Sequence, residues 1–219
     1  MVRRSTMALA IIGLVAAAST TSAQIARRSS GPNTPGYWVG LSLGYVDGTS
    51  MSDDNTGAVW RFGYTSQIRA TFEKSLAAGS SIGISAGFST APLSYTAGSG
   101  LASDCFASCD ASADVTQLLA FFHGNTGGEV GLKFFYQAEG GVTEFDNFRE
   151  RSTDVKLPPS SASNDLTFGF GGGISYGLSS IADVYVGEMW DIVLHHQSTV
   201  ESQSAPRLST FRAGFRIGF

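Results

Sequence analysis

Phe211-Arg212-Ala213-Gly214-Phe215-Arg216-Ile217-Gly218-Phe219 sets an apolar residue at every odd position and arginine or glycine at every even one, and it ends on an aromatic. A period of two is the period of a β-strand, so this stretch has one oily face and one wet face. Such a strand suits the closing position of a barrel in lipid, with one face against acyl chains and the other towards a polar interior.

Working outward, seven more stretches show strand character. In the first, Tyr37, Val39, Leu41, Leu43 and Tyr45 alternate with Trp38, Gly40, Ser42 and Gly44, and a tyrosine at each end of the oily face matches the aromatic girdles of membrane interfaces. The second, over roughly 58–76, assigns Trp60, Phe62, Tyr64, Ile68, Ala70 and Phe72 to the lipid side and Arg61, Gln67, Arg69 and Glu73 to the interior. A third carries Ile82, Ile84, Ala86 and Phe88 against serines and glycines, after the short turn Ala77-Ala78-Gly79-Ser80. The fourth, around 115–122, has ambiguous parity, because Leu118, Ala120 and Phe122 compete with Val115, Leu119 and Phe121 for the outer face.

In the fifth, Val130, Leu132, Phe134 and Tyr136 face out and Lys133, Gln137 and Glu139 face in. The sixth sets Leu166, Phe168, Phe170, Ile174 and Tyr176 against a row rich in glycine. The seventh, 184–196, has Val184, Val186, Trp190, Ile192 and Leu194 on one parity with Glu188 as a single misfit. Counting the closing strand, these predict an all-β fold, an eight-stranded antiparallel transmembrane β-barrel over 36–219. Connections 47–57, 90–114, 143–165 and 197–207 are long and polar and the other three are short, so loops gather at one end and turns at the other.

At the start of the chain, Arg3 and Arg4 precede an apolar run from Met7 to Ala18, followed by Thr21-Ser22-Ala23. The run is about a dozen residues where a spanning helix needs ~20, so 1–23 reads as a secretory signal peptide cleaved after Ala23. Residues 24–35, with two prolines and small polar residues, read as a flexible leader. Cleavage would remove two arginines and no acid, leaving 12 basic against 18 acidic residues and a net charge of −6. With no basic stripe, nucleic acid is not an expected partner. Charged residues make up only 15% of the chain while Phe 15, Tyr 7 and Gly 27 are plentiful. That composition fits a barrel, whose apolar residues point outwards.

The alternation, the loop asymmetry and Phe219 together resemble the small eight-stranded outer-membrane β-barrels of Gram-negative bacteria, porin-like or opacity-type proteins and the membrane domain of outer-membrane protein A. The resemblance covers roughly 36–219. It implies short turns and both termini on the periplasmic side, long extracellular loops, and contact with outer-membrane lipid and lipopolysaccharide. It also implies that the outer-membrane assembly machinery reads Phe219 on the last strand. Nothing follows Phe219, so the peptidoglycan-binding domain of some relatives is not expected. A structural or surface-interaction role, or a narrow porin-like channel, is what such a barrel implies; the oligomeric state is open.

Chemistry could reside in the interior, where Arg61, Arg69, Glu73, Lys133, Glu139, Arg212 and Arg216 share inward parity. Eight strands enclose a space only wide enough for side chains, so buried charges there must pair or meet water. A lumen charge network is the expectation, with Arg69 and Glu73 reaching Arg212 and Arg216; the glycine row of the sixth strand suggests a groove that could pass water or a small solute. Cys105 and Cys109, the only cysteines, are expected to form a loop disulfide in an oxidising compartment. Two cysteines are too few for a closed metal site, and no cofactor is expected. His196-Gln197-Ser198 is similar to the His-x-Ser of outer-membrane lipid A deacylases, which implies an alternative acyl-hydrolase reading with His196 as base and Ser198 as nucleophile. The asparagine and the orienting glutamate of that family are not at matching positions, and Glu201 is the substitute in reach.

Overall fold

In the computed structural model, residues 35–52, 57–77, 79–98, 108–126, 128–157, 163–196, 203–204 and 207–219 are described. The expected signal peptide lies outside them, as does the leader except Pro35. Period-two alternation yields strands β1 (Tyr37–Val46), β2 (Ser50–Ser52), β3 (Val59–Phe62), β4 (Thr65–Ala77), β5 (Ser80–Thr96), β6 (Ser108–Thr126), β7 (Gly131–Glu150), β8 (Ser163–Ser179), β9 (Ala182–His196), β10 (Gln203–Ser204) and β11 (Arg207–Gly218). Pairing runs antiparallel through β1, β4, β5, β6, β7, β8, β9 and β11, and β11 returns to β1, which closes a ring of eight strands. The short strands β2 and β3 form a hairpin that pairs with the upper part of β5, and β10 pairs with β9.

Closure leaves no strand edge for lipid to meet. At the seam, Leu41 lies opposite Phe215 and Tyr45 opposite Phe211. The Phe219 amide donates to the Tyr37 carbonyl at 2.9 Å. The Phe219 and Phe72 rings stack on Tyr37 at 6.0 and 5.8 Å. These contacts lie at the turn end, where β4–β5, β6–β7 and β8–β9 are joined by tight connections and Gly79 takes a positive φ of 81°. Tyr45 and Tyr64 stack at 5.5 Å on the outer surface nearer the loop end.

Between the rims, Leu43, Ile68, Ile84, Phe88, Phe134, Phe168, Ile174 and Phe215 stand exposed, part of an apolar belt around the ring. An area of that size is stable only in hydrocarbon, so the barrel spans a membrane. The register decides the fourth alternation. Phe122, Ala120 and Leu118 of β6 lie opposite Ile82, Ile84 and Ala86 of β5 and share their outward face, which leaves Val115, Leu119 and Phe121 inside.

Above the belt the chemistry of the two faces exchanges. On β5, outward Ile84 and Phe88 give way to Thr90, Ser94 and Thr96, while inward Ser81 and Ser85 give way to Ala91, Leu93 and Tyr95, all three buried. No residue is inserted; the same alternation continues into water with its oily side turned inwards. This inversion corrects two expected loops, since 90–114 and 143–165 contain the outer parts of β5, β6, β7 and the first residues of β8. A β-bulge on β7 adds to it. Asn147 adopts a φ of 56°, and the register against β6 shifts there, so Phe145 and Phe148 both point inside.

The second alternation is corrected as well. It is two strands, broken at Gly63 and Tyr64, where the Gly63 amide turns to the Pro92 carbonyl at 2.7 Å. The break reverses the parity. Trp60 and Phe62, expected against lipid, are buried inside, and Arg61, expected in the lumen, is exposed on the outer surface.

Candidate functional site in the barrel interior

Inward positions of the membrane-spanning part carry charge because each strand's alternate residues have nowhere else to go, and the closed ring brings them within reach of one another. Nearest the turn end, Asp183 of β9 accepts from Lys133 Nζ at 2.8 Å and from Arg216 at 2.8 and 2.9 Å. Arg216 also donates to Glu73 at 3.2 Å, and its guanidinium lies 4.7 Å from the centroid of the Trp38 ring. Two cations thus face two carboxylates. One step towards the loop end, Arg69 of β4 reaches across the barrel to Glu139 of β7 at 3.0 Å, and Arg212 approaches Glu139 at 4.0 Å. Fully buried Asp191 lies within electrostatic reach of Glu139, Arg69 and Arg212, so two carboxyl groups face two guanidiniums at this level. Neutral amides fill the gaps: Gln117 accepts from Arg69 at 2.6 Å and from Gln67 at 2.9 Å, and Gln137 donates to Glu139 at 2.6 Å.

Buried pairs of this kind are costly to break, since removing one partner strands the other charge in a place with little water. The glycine row on β8 does not add a groove. Asp191 occupies the space a side chain at Gly169 would need, Met189 covers Gly171, and the Phe135 ring lies over Gly173 and Gly187. Large side chains from β7 and β9 fill what the glycines leave open. At the turn end a cavity with room for water of about 160 Å³ remains, lined by Trp38, Ser81, His123, Lys133, Asp183 and Arg216.

Towards the loop end the interior is oily. Trp60, Phe62, Tyr95, Phe145 and Phe148 form one aromatic cluster, with ring centroids 5.5 to 6.5 Å apart. Met51, Leu93, Val115, Val193 and Leu208 complete it. Residues 149–157 fold back over it: the Leu157 amide donates to the Phe148 carbonyl at 2.9 Å, and Leu157 is buried in the cluster. On this fold-back, Thr153 and Ser152 donate hydroxyl hydrogen bonds to Glu150 and hold its carboxyl below the usual range. Between the aromatic cap and the charged levels lies a void of only about 20 Å³, the size of one water.

No protein-family model matches the sequence, and neither does any curated protein. Solved structures do. Neisserial surface protein A (NspA) superposes with a TM-score of 0.54 at 14% identity, covering 84% of this chain and 97% of that one. The outer membrane protein OprG from Pseudomonas aeruginosa superposes with a TM-score of 0.50 at 14% identity, covering 85% of this chain and 97% of that one.

The chain has the fold of the small outer-membrane β-barrels.

Within that barrel, the six expected lumen residues other than Arg61 all lie inside, but their partners differ from the expectation. Arg69 meets Glu139 rather than the arginines of the last strand, while Glu73 does meet Arg216. Asp183, Asp191 and Gln117 are the members absent from the expected set, and Gln67, expected inside, joins them. Alternation on the seventh strand turns Asp191 inward, whereas Asp183 precedes the expected start of that strand and Gln117 lies on the strand of ambiguous parity; the stagger that decides which charge each faces is not legible from alternation. His123 on β6 is buried in the interior, its ring stacked on Phe135 at 5.3 Å. Cys109, at the start of β6, is disulfide-bonded, and Cys105 lies outside the described residues. His196 ends β9 with its backbone paired to Gln203, and Ser198 and Glu201 lie outside the described residues.

Proposed function

We propose that the protein is an integral outer-membrane barrel closed to solutes, which acts through its loop end at the cell surface, with its turns and termini in the periplasm. The observation that carries this reading is the double closure of the interior. Levels of buried ion pairs around Glu139 and Asp183 sit in series with an apolar aromatic cap. Either alone would obstruct a narrow lumen; a hydrated ion would have to break buried pairs and then cross an apolar layer. The strands that rise above the belt give the loop end a rigid base, tied further by the disulfide of Cys109, for which we take Cys105 as partner. Recognition loops on a rigid scaffold are the usual arrangement for binding.

Planar bilayer recording of the purified, heat-modifiable protein tests the proposal. The expected record is silence, with no steady conductance at any applied potential. A stable, reproducible conductance step would contradict the closed reading and support the narrow channel instead.

A further inference from the structure

Glu188 has the wrong chemistry for its place. On β9 it shares the outward parity of Val184, Val186, Trp190, Ile192 and Leu194, with apolar neighbours on both sides along the strand, so it stands at mid-depth in the belt. Among the described residues it is the one carboxyl group so placed. Ser209 of β11 donates to Glu188 Oε1 at 2.7 Å, and its second oxygen takes no hydrogen bond from the described barrel. A carboxyl group facing hydrocarbon with half its capacity unused is expensive, and intramembrane ionisable groups mark places where something else is bound.

The surroundings are shaped for close approach. On the β8 side Gly172 lies directly beside Glu188, while on the β11 side the exposed Phe211 ring stands beside it with the small Ala213 two residues along, so the low ground is bounded by Phe211. The tilted Phe170–Trp190 pair, with centroids 5.5 Å apart, flanks this low ground. Small residues around a polar group are how walls pack together in lipid, where apolar area alone gives no drive to associate.

We propose that this face of β8, β9 and β11 is an interface between two copies of the chain, with the two Glu188 side chains hydrogen-bonded to each other across a two-fold axis. A two-fold interface requires a group that complements itself, and a carboxyl group does, because it donates when it carries a proton and accepts when it does not. Among the described residues no cationic side chain stands at that depth on the outer face. The outward Lys74 lies near the turn rim, and Arg207 and Arg61 lie towards the loop end.

Sedimentation equilibrium of the full chain in density-matched detergent tests this, with heat-modifiable gel migration showing that each variant is a folded barrel. The wild type should show a reversible monomer–dimer equilibrium. Glu188→Leu, although better suited to lipid, should weaken dimerisation by about tenfold or more, the loss of one hydrogen-bonded polar contact in a membrane. Glu188→Gln should stay within about threefold, because a carboxamide also both donates and accepts. Ala213→Phe, which fills the low ground and leaves the carboxyl in place, should weaken association as Leu does. A wild type that remains monomeric at all protein-to-detergent ratios would overturn the proposal, and so would a Glu188→Leu variant that dimerises as tightly as the wild type.

Discussion

Residues 81–88 and residues 90–96 belong to one strand, follow one alternation and are built oppositely. In the first, Ile84 and Phe88 face out and serine and glycine face in; in the second, Ala91, Leu93 and Tyr95 face in and Thr90, Ser94 and Thr96 face out. Nothing in the backbone distinguishes them. What differs is the solvent outside, lipid for one and water for the other, and each face takes the residues its surroundings favour. The interior follows: where lipid takes the oily residues the inside is polar and must balance its charge, and where water takes the polar ones the inside becomes an ordinary hydrophobic core.

The two halves should therefore fail in different ways. The largest effect is expected in the charged half. Glu139→Ala leaves Arg69 and Arg212 facing one another with only Asp191 to balance them, and should cost about 3–5 kcal/mol in urea unfolding from lipid vesicles. Replacing Arg69 and Glu139 together by Met and Leu should recover most of that loss, because two apolar groups of similar size leave no stranded charge. A single variant as stable as the parent would show these charges to be independently hydrated.

In the apolar half the damage is a cavity, not a charge. Phe145→Ala removes a 2%-exposed ring that packs on Phe62 at 5.5 Å, and should cost about 3 kcal/mol in the same assay. Phe145→Leu should recover much of it, whereas no apolar replacement of Glu139 alone should, and that contrast sharpens the comparison.

The smallest effect lies at the water-exposed rim. The hydroxyls of Thr153 and Ser152 hold the Glu150 carboxyl below its usual value. A carboxyl depressed in the folded state contributes stability above its unfolded value and loses it as the pH falls through the folded one. A carbon-detected NMR titration should place the Glu150 midpoint below the ordinary ~4.3, and Thr153→Val should raise it. A midpoint unmoved by that substitution would mean the hydroxyl is not what holds the carboxylate.

How far the sequence speaks follows from the same division. Lipid sorts side chains strictly, so Tyr37 to Tyr45 and Phe211 to Phe219 announce their faces, and the short turns announce the hairpins. The fourth alternation was unreadable because β6 is oily on both sides: Phe121 fills the space left by Gly83 on the neighbouring strand. Residues 90–96 and 143–150 passed for loops because their alternation runs opposite to the membrane rule. Arg61, Trp60 and Phe62 were set on the wrong faces by the break at Gly63, which alternation alone does not reveal. In the interior, parity supplied the charges, but the pairing of Arg69 with Glu139 depends on the stagger of strands around the ring, a property of the whole closure.

Trp60 and Trp190 carry the comparison most directly. Trp60 is 9% exposed inside the aromatic cap, while Trp190 is 45% exposed on the outer belt. With Trp38 replaced by Phe and either Trp60 or Trp190 retained, fluorescence in vesicles of brominated lipid, and separately with aqueous acrylamide, reads which surroundings each indole has. Trp190 should be quenched strongly by brominated acyl chains, and Trp60 should resist both quenchers. Quenching of Trp60 by brominated lipid to the same degree as Trp190 would place it on the lipid face and contradict the inversion on which the closed interior rests.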